Sequence, residues 1–405
     1  MATTALVGLD DVDDARRRLD GVAVRTPLDR SRALSDRCGC EVFVKCENLQ
    51  RTGSFKIRGA FNRISRLDDD ERAAGVVAAS AGNHAQGVAL AATLSETSST
   101  VFMPAAAALP KVEATRRYGA EVVLTGKDFG AAFAAATDFA RSNGKVFVHP
   151  YDHPHIIAGQ GTIGREIVEQ LPEVATLVVP VGGGGLISGI SAATRALRPD
   201  VRIIGVQAEG AAAYPPSLEA GAPVTLERMS TIADGIAANT PGELTFAHVS
   251  ALVDEVVTVS DDSIARALVF SLERMKLVLE ASGAAGVAGA LENSDALRSP
   301  VVVLLSGGNI DPLLLLRVIR FGLSASGRFC AFHTRVADRP GELHRLLGLV
   351  AEAGANVVGV DHRREGAHVH VGDVEVTLQV ETKGPDHIRE LEERLTEGGY
   401  TVDRL

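Results

Sequence analysis

Lys56 stands in "RTGSFKIRG", between a turn of small residues and a run in which Ile57, Ala60, Phe61, Ile64 and Leu67 recur at helical spacing. That spacing predicts a helix beginning at Lys56, where the positive end of the peptide dipoles disfavours an ammonium group. An amine biased towards its neutral form can make a Schiff base with an aldehyde. An isolated lysine is more often an exposed side chain that snorkels to water. The stretches that accompany this one shift the balance towards chemistry.

Gly182, Gly183, Gly184 and Gly185 lie between an apolar strand-like run and a helical one in "LVVPVGGGGLISGISAATRAL". Backbone N–H groups of such a turn can close on an anion at the helix N-terminus, and a phosphate is the natural guest. The spacing is not GxGxxG, and no GxxxxGK(S/T) run occurs, so a dinucleotide or nucleoside triphosphate is disfavoured. Four glycines also suit a plain tight turn.

In "AASAGNHAQG", Ser80, Ala81, Gly82, Asn83 and His84 follow a strand-like run and open a helical one, offering hydroxyl, backbone and amide donors to a carboxylate. Helix capping by Ser80 or Asn83 is the plainer role for the same residues. Ser306 ends the apolar run of "VVVLLSGGNIDP" and can offer its hydroxyl to a ring nitrogen, or serve the turn alone.

The elements that must position these residues are legible as a rhythm. Between Gly75 and Pro312, the runs "GVVAAS", "STVFMP", "AEVVLTG", "KVFVHP", "TLVVPVG", "VRIIGVQAE" and "PVVVLLSGG" alternate with longer Ala-rich helical segments. This predicts an α/β fold with largely parallel sheets and ligands at the carboxyl ends of strands. After the small, polar stretch at Ser324 to Gly327, the pattern becomes strand, helix, strand, strand, helix, strand, a ferredoxin-like βαββαβ unit. Pro340 is expected to open its first helix and Gly354 to end it.

The chain has 405 residues, enough for more than one folding unit and a sizeable core. A formal net charge of -10 argues against a nucleic-acid partner. No apolar stretch is long enough to span a bilayer, and the acidic start lacks an apolar targeting core, so a cytoplasmic protein is expected. The 4 cysteines, Cys38, Cys40, Cys46 and Cys330, form no CxxC pair and are expected to be reduced thiols.

In order along the chain, "KCENLQRTGSFKIRGA", "SAGNHAQG", "PKVEATRRYGAEVVL", "IAGQGTIGREI", "GGGGLISGI", "TIADGIA" and "LSGGNID" closely resemble the threonine dehydratase (threonine ammonia-lyase) group of fold-type-II pyridoxal-phosphate enzymes. The likeness runs from about Val12 to Arg320. "VADRPGELHRLLGLVAEAGANV" is similar to an ACT domain, a regulatory amino-acid-binding module. The resemblance implies a two-lobed catalytic region over residues 1–323, with a smaller lobe inserted at roughly 53–148, and an ACT domain over residues 328–405.

It further implies that Lys56 holds pyridoxal 5'-phosphate through its amine and serves as the base, with Phe55 against the ring. Gly182, Gly183, Gly184, Gly185 and Leu186 would take the phosphate, Asn83 the phenolic oxygen and Ser306 the ring nitrogen. A neutral hydroxyl does not hold that nitrogen protonated, which favours loss of a β-leaving group over transamination. The implied reaction is β-elimination of L-threonine to 2-oxobutanoate and ammonia, with side activity on L-serine. Ser80, Ala81, Gly82, Asn83 and His84 would receive the substrate.

Related serine racemases carry an acid/base serine where this chain has Ala81, so racemisation is expected to be slow. Their acidic metal site begins at the match to Glu209, but Pro215 stands in place of a second carboxylate, and no metal is expected. In the ACT-like unit, isoleucine or valine would bind at Ala353, Gly354, Ala355 and Asn356, where Gly354 permits close backbone approach. Dimerisation through its edge strands is the other role open to this unit. A homodimer or homotetramer is expected. His333, His344, His362, His368 and His370 read as surface residues; His368 and His370 share a strand face but fall short of a ligand set. The competing readings are another β-elimination or β-replacement enzyme of this fold, and an amino-acid sensor that has lost the chemistry.

Overall fold

Continuous apolar runs become strands buried on both faces. The computed structural model of the chain, which describes residues 5–364 and 372–405, divides into two compact units, Met1–Asp311 and Pro312–Leu405. In the first unit the strands are β1 Leu28–Arg30, β2 Val42–Lys45, β3 Val76–Ala79, β4 Ser99–Met103, β5 Glu121–Leu124, β6 Val146–Phe147, β7 Thr176–Pro180, β8 Arg202–Ala208, β9 Glu255–Val259 and β10 Val301–Leu304. Every residue of β3, β4, β7 and β10 is buried. Helices cover both faces of such strands, so no polar alternation survives in the sequence.

Two sheets result. The larger runs β1-β2-β10-β7-β8-β9 and is parallel except for β1, which pairs antiparallel with β2. The smaller runs β5-β4-β3-β6 and is wholly parallel. All seven strand-like runs named from the sequence are strands. The short β1 and β2 and the edge strand β9 were not among them, and β9 is only partly buried.

The helix Pro154–Gln170 lies between the elements of the two sheets, and its glycines explain "IAGQGTIGREI". A Cβ on Gly159 would come 2.6 Å from the Cα of Gly59, in the Lys56–Ile64 helix. Cβ atoms on Gly161 and Gly164 would come 2.9 and 2.7 Å from the carbonyl oxygens of Gly189 and Ile190, in the Gly185–Leu197 helix. These three helices approach so closely that only hydrogen fits between their backbones.

The second unit holds the helix Pro312–Ala325, then β11 Phe329–Ala337, the helix Glu342–Glu352, β12 Asn356–Arg363, β13 Asp373–Glu381, the helix Pro385–Glu397 and β14 Asp403–Arg404. Its antiparallel sheet has the order β12-β13-β11-β14, the expected βαββαβ arrangement. Phe332, Leu346, Val350, Val376, Leu378, Ile388 and Leu395 form its own core. One detail differs from expectation: Pro340 sits in the turn before the first helix, which starts at Glu342 after Gly341. Gly341 has a φ of 98°, a left-handed geometry that no helix started at Pro340 could run through. His368 and His370 lie outside the described residues.

Candidate active site

The Lys56–Ile64 helix begins at Lys56, with Ile57, Ala60 and Ile64 packed into an apolar cluster that includes Val76 and Ala78 of β3. The Lys56 amine donates to the carbonyl of Pro150 at 3.1 Å and lies 5.2 Å from the centre of the Phe55 ring. Burial pushes this amine down to about 8, against the opposing pull of the Glu280 carboxylate. The neutral bias expected at Lys56 is thus present, with desolvation as its leading cause.

Two glycine turns are sewn together beneath it. Phe55 N–H donates to Ser306 O at 3.2 Å, Gly308 N–H donates to Gly53 O at 2.9 Å, and Ser54 and Gly307 form a β-bridge. The Asn309 amide donates to Thr52 O at 2.6 Å and to Asn83 Oδ1 at 2.8 Å. This stitching brings Ser306, at the carboxyl end of β10, beside Phe55 and Lys56. Ser54 Oγ and Thr52 Oγ1 remain buried without a hydrogen-bond partner, among the described residues.

Two helix N-termini open into this neighbourhood. The helix Asn83–Leu94 follows Gly82 with no side-chain cap, and Ser80 Oγ accepts instead from Gly82 N–H at 3.1 Å. Capping by Ser80 or Asn83, the plainer role considered for them, does not occur. Among the described residues the first-turn N–H groups have no side-chain cap, and such groups suit a carboxylate. Asn83 donates from Nδ2 to Glu280 Oε1 at 2.5 Å. His84 turns away: its Nε2 pairs with Val148 O at 2.9 Å, and burial, then Lys56, drive the ring down to about 3. The ring is neutral and used inside the fold, so His84 can contribute its backbone N–H alone.

The helix Gly185–Leu197 likewise has no side-chain cap. Among its four leading glycines only Gly184 needs positive φ, at 97°. The others are required by close approach: a Cβ on Gly182 would come 2.9 Å from Ile236 Cα, one on Gly183 would enter the Tyr151 ring, and one on Gly185 would come 2.9 Å from Tyr151 Cα. The Gly183 carbonyl is turned outward to Thr245 Oγ1 at 2.7 Å, which leaves the N–H side of the turn available to an anion.

Pyridoxal phosphate fits this set of groups. A depressed lysine amine, an uncapped glycine cradle for a dianion, an amide for the phenolic oxygen, a serine hydroxyl for the ring nitrogen, and orphaned hydroxyls beside the lysine match its parts. Several residues that build the site carry no role in the sequence reading. Glu280, Asn309 and the Pro150 carbonyl have only weak signals: Glu280 is one carboxylate inside the otherwise apolar and small-residue stretch Val278–Ala290, and a carbonyl has none. In the second unit the N–H groups of Ala353, Gly354 and Ala355 donate to Leu349, Ala351 and Val350 carbonyls, closing the helix end. The Asn356 amide donates to Glu381 at 3.1 Å.

Comparison with known proteins agrees with this geometry. The family described as pyridoxal-phosphate dependent enzyme matches residues 19–307, and the ACT domain matches residues 334–397. An L-threonine ammonia-lyase of Thermotoga maritima is 49% identical over 397 residues, covering 98% of this chain and 99% of its own. The processed form of threonine deaminase isoform 2 from Solanum lycopersicum superposes with a TM-score of 0.73 at 37% identity, over 79% of this chain and 96% of its own. Maize serine racemase superposes with a TM-score of 0.74 at 36% identity, over 79% and 99%. With its amine, its glycine cradle and the full-length likeness in agreement, the chain belongs to the pyridoxal-phosphate-dependent enzymes and carries an ACT domain at its C-terminal end.

Proposed function

We propose that the protein is an L-threonine ammonia-lyase, converting L-threonine to 2-oxobutanoate and ammonia. The observation that carries this reading is the half-buried, desolvated Lys56 amine beside two uncapped helix N-termini, in a chain 49% identical along its length to an enzyme of that name. Lys56 would hold the cofactor, with Phe55 against its ring and the N–H groups of Gly182 to Leu186 on its phosphate. Asn83 would serve the phenolic oxygen, and Ser306 would offer a neutral hydroxyl to the ring nitrogen. Bound pyridoxal phosphate supplies a sink for the electron pair left at Cα when its proton is removed.

The remaining work belongs to the chain. N–H groups of the Ser80, Ala81, Gly82, Asn83 and His84 turn hold the substrate carboxylate and orient the Cα–H bond. The Lys56 amine, in its uncharged form, would take the Cα proton. The β-hydroxyl would then leave as water with the proton returned from the Lys56 ammonium, and a second water would hydrolyse the resulting enamine to the oxoacid and ammonia. L-Serine lacks one methyl group, worth about 1–3 kcal/mol in a pocket, so it is turned over as a side reaction.

The ACT unit gives the enzyme an amino-acid effector site, for which isoleucine or valine and the loop Ala353, Gly354, Ala355 and Asn356 are our choice. This suits a biosynthetic step towards isoleucine, run in the cytoplasm by a homodimer or homotetramer. The regulatory role begins, on this reading, after the Ser324–Gly327 stretch. Among the described residues no helix is long and apolar enough to cross a membrane.

The test is release of 2-oxobutanoate from L-threonine by the purified protein with pyridoxal phosphate. Rapid release is expected. Cofactor binding without turnover of any hydroxy-amino acid would overturn the reading in favour of a sensor.

A further inference from the structure

Glu280 is buried at the start of the helix Ala281–Glu292, and its surroundings are unusual for a carboxyl group. Its Oε1 accepts from Asn83 Nδ2 at 2.5 Å, and its backbone N–H donates to Gly307 O at 3.1 Å. The carboxyl also lies against the Cα of Gly307, leaving no space there for a Cβ. Glu280 forms no ion pair among those found between described residues. The charged groups that face it are Lys56, Lys111 and Asp234. Both lysines favour its anion, but Lys56 is bonded to the Pro150 carbonyl and Lys111 to Asp234 at 2.6 Å, and among the described residues neither forms an ion pair with it. A buried carboxylate without a cation is costly, and such a group keeps its proton instead.

Asn83 is therefore gripped from both edges, by Glu280 at Nδ2 and by Asn309 at Oδ1. An asparagine amide has two N–H donors and one acceptor oxygen, and a half-turn about its side chain would exchange them. We propose that Glu280 is a positioning residue for the reaction, acting through Asn83: the Glu280 carboxyl and the Asn309 amide together fix which edge of the Asn83 amide faces the cofactor. One Asn83 N–H is used on Glu280, and the second, with no acceptor among the described hydrogen bonds, is available as a donor. Without the carboxyl, the amide can turn its oxygen towards an oxygen of the cofactor, a repulsive arrangement. Burial and Asp234 raise the Glu280 carboxyl to about 7, so its grip changes character near neutral pH, from a hydrogen-bonding acid to an anion.

This rests on the lyase reading, and the experiment separates the two. Holoenzyme carrying Glu280→Ala or Glu280→Gln is compared with wild type by kcat/KM for L-threonine between pH 6 and 9, and by visible circular dichroism of the bound cofactor. Glu280→Ala is expected to lose about a hundredfold in kcat/KM, the cost of misplacing a group by roughly an ångström, and to change the cofactor dichroism. Glu280→Gln, which keeps an acceptor for Asn83, is expected to restore the wild-type dichroism and to abolish the inflection of the profile near pH 7. A Gln variant as damaged as the Ala variant, or an Ala variant with wild-type dichroism and pH profile, would overturn the proposal. Should Glu280→Ala fail to fold, the Gln variant decides alone, an unchanged inflection near pH 7 counting against it. A wild-type enzyme with bound cofactor and no 2-oxobutanoate would sink the lyase reading, while the dichroism would still judge Glu280.

Discussion

Arg58 and Glu47 face each other out of solvent, with Arg58 Nη2 2.8 Å from Glu47 Oε1 and Nε 2.9 Å from Oε2. The same guanidinium reaches Glu166 at 2.6 Å, and Glu166 in turn takes Lys45 at 2.6 Å. Arg58 lies on the helix that Lys56 begins, two residues further on, while Lys45 ends β2. The cluster thus bolts the lysine-bearing helix to the larger sheet and to the long helix Pro154–Gln170.

Breaking that cluster on one side is predicted to be severe. Arg58→Met leaves Glu47 buried with the Thr26 hydroxyl as its remaining side-chain donor, among the described residues. An unpaired buried charge of this kind costs about 3–5 kcal/mol. Thermal unfolding of the variant is expected well below wild type, and a wild-type melting temperature would contradict this account.

Lys56→Ala is predicted to abolish 2-oxobutanoate formation from L-threonine while leaving the fold intact. The Lys56 amine lies beside Phe55 and the Pro150 carbonyl, and its removal takes away both the cofactor attachment and the base of the proposed reaction. Substantial turnover in this variant, measured under saturating pyridoxal phosphate, would sink the assignment.

Capture of pyridoxal phosphate by the cofactor-free protein should quicken with pH and level off above about 8, where Lys56 has lost its proton. The sign follows from the neutral amine being the nucleophile. An ordinary lysine, with a value near 10.4, would be slower and would go on quickening through the whole range without levelling off. Stopped-flow absorbance between pH 6.5 and 9.5 distinguishes the two.

Acid is predicted to weaken the fold below the ordinary histidine range. Burial lowers His84 to about 3, and His149 and His153 each to about 4. Below a pH of about 6.5 the unfolded chain binds protons on these rings that the folded chain refuses, so stability falls as pH drops towards those values. Melting temperatures at pH 7.5, 6 and 5 should decline in that order. His84→Gln, whose amide nitrogen reaches the position of Nε2 and keeps a donor for the Val148 carbonyl, should flatten the slope.

Gly184→Ala is predicted to damage both fold and cofactor binding. Its φ of 97° strains any side chain by about 1–3 kcal/mol, and a Cβ there would strike the Tyr214 hydroxyl. Reduced affinity for pyridoxal phosphate in a fluorescence titration checks the second part. Unchanged affinity would argue for a structural turn alone.

The central parallel strands of both sheets were legible because two-sided burial writes itself as unbroken apolar runs, as in "TLVVPVG" and "PVVVLLSGG". The parallel strands β2 and β9 were not: β2 is four residues ending in a lysine, and β9, "EVVTV", is broken by polar residues. Lys56, the glycine turn and Ser306 stand out because each sits at a junction between strand, turn and helix. Glu280 does not, because its meaning comes from Asn83, 197 residues away in the chain. The cause of the depressed Lys56 amine was also hidden: the helix end is visible in the sequence, but burial among Phe55, Pro150 and the stitched turns is a property of the folded molecule. His84 shows the same limit, its ring turned to a backbone carbonyl that no side-chain pattern reports.

The three glycines of the Pro154–Gln170 helix have a consequence for how the molecule opens. With backbone resting on backbone at Gly159, Gly161 and Gly164, the Lys56–Ile64 and Gly185–Leu197 helices cannot separate from it by small rotations of side chains. The elements that carry the lysine and the phosphate cradle should therefore behave as one cooperative unit in hydrogen exchange, their amides releasing deuterium together and last. The reacting amine and the anion-binding turn would then be lost in a single event, with no partly open form in which one persists without the other.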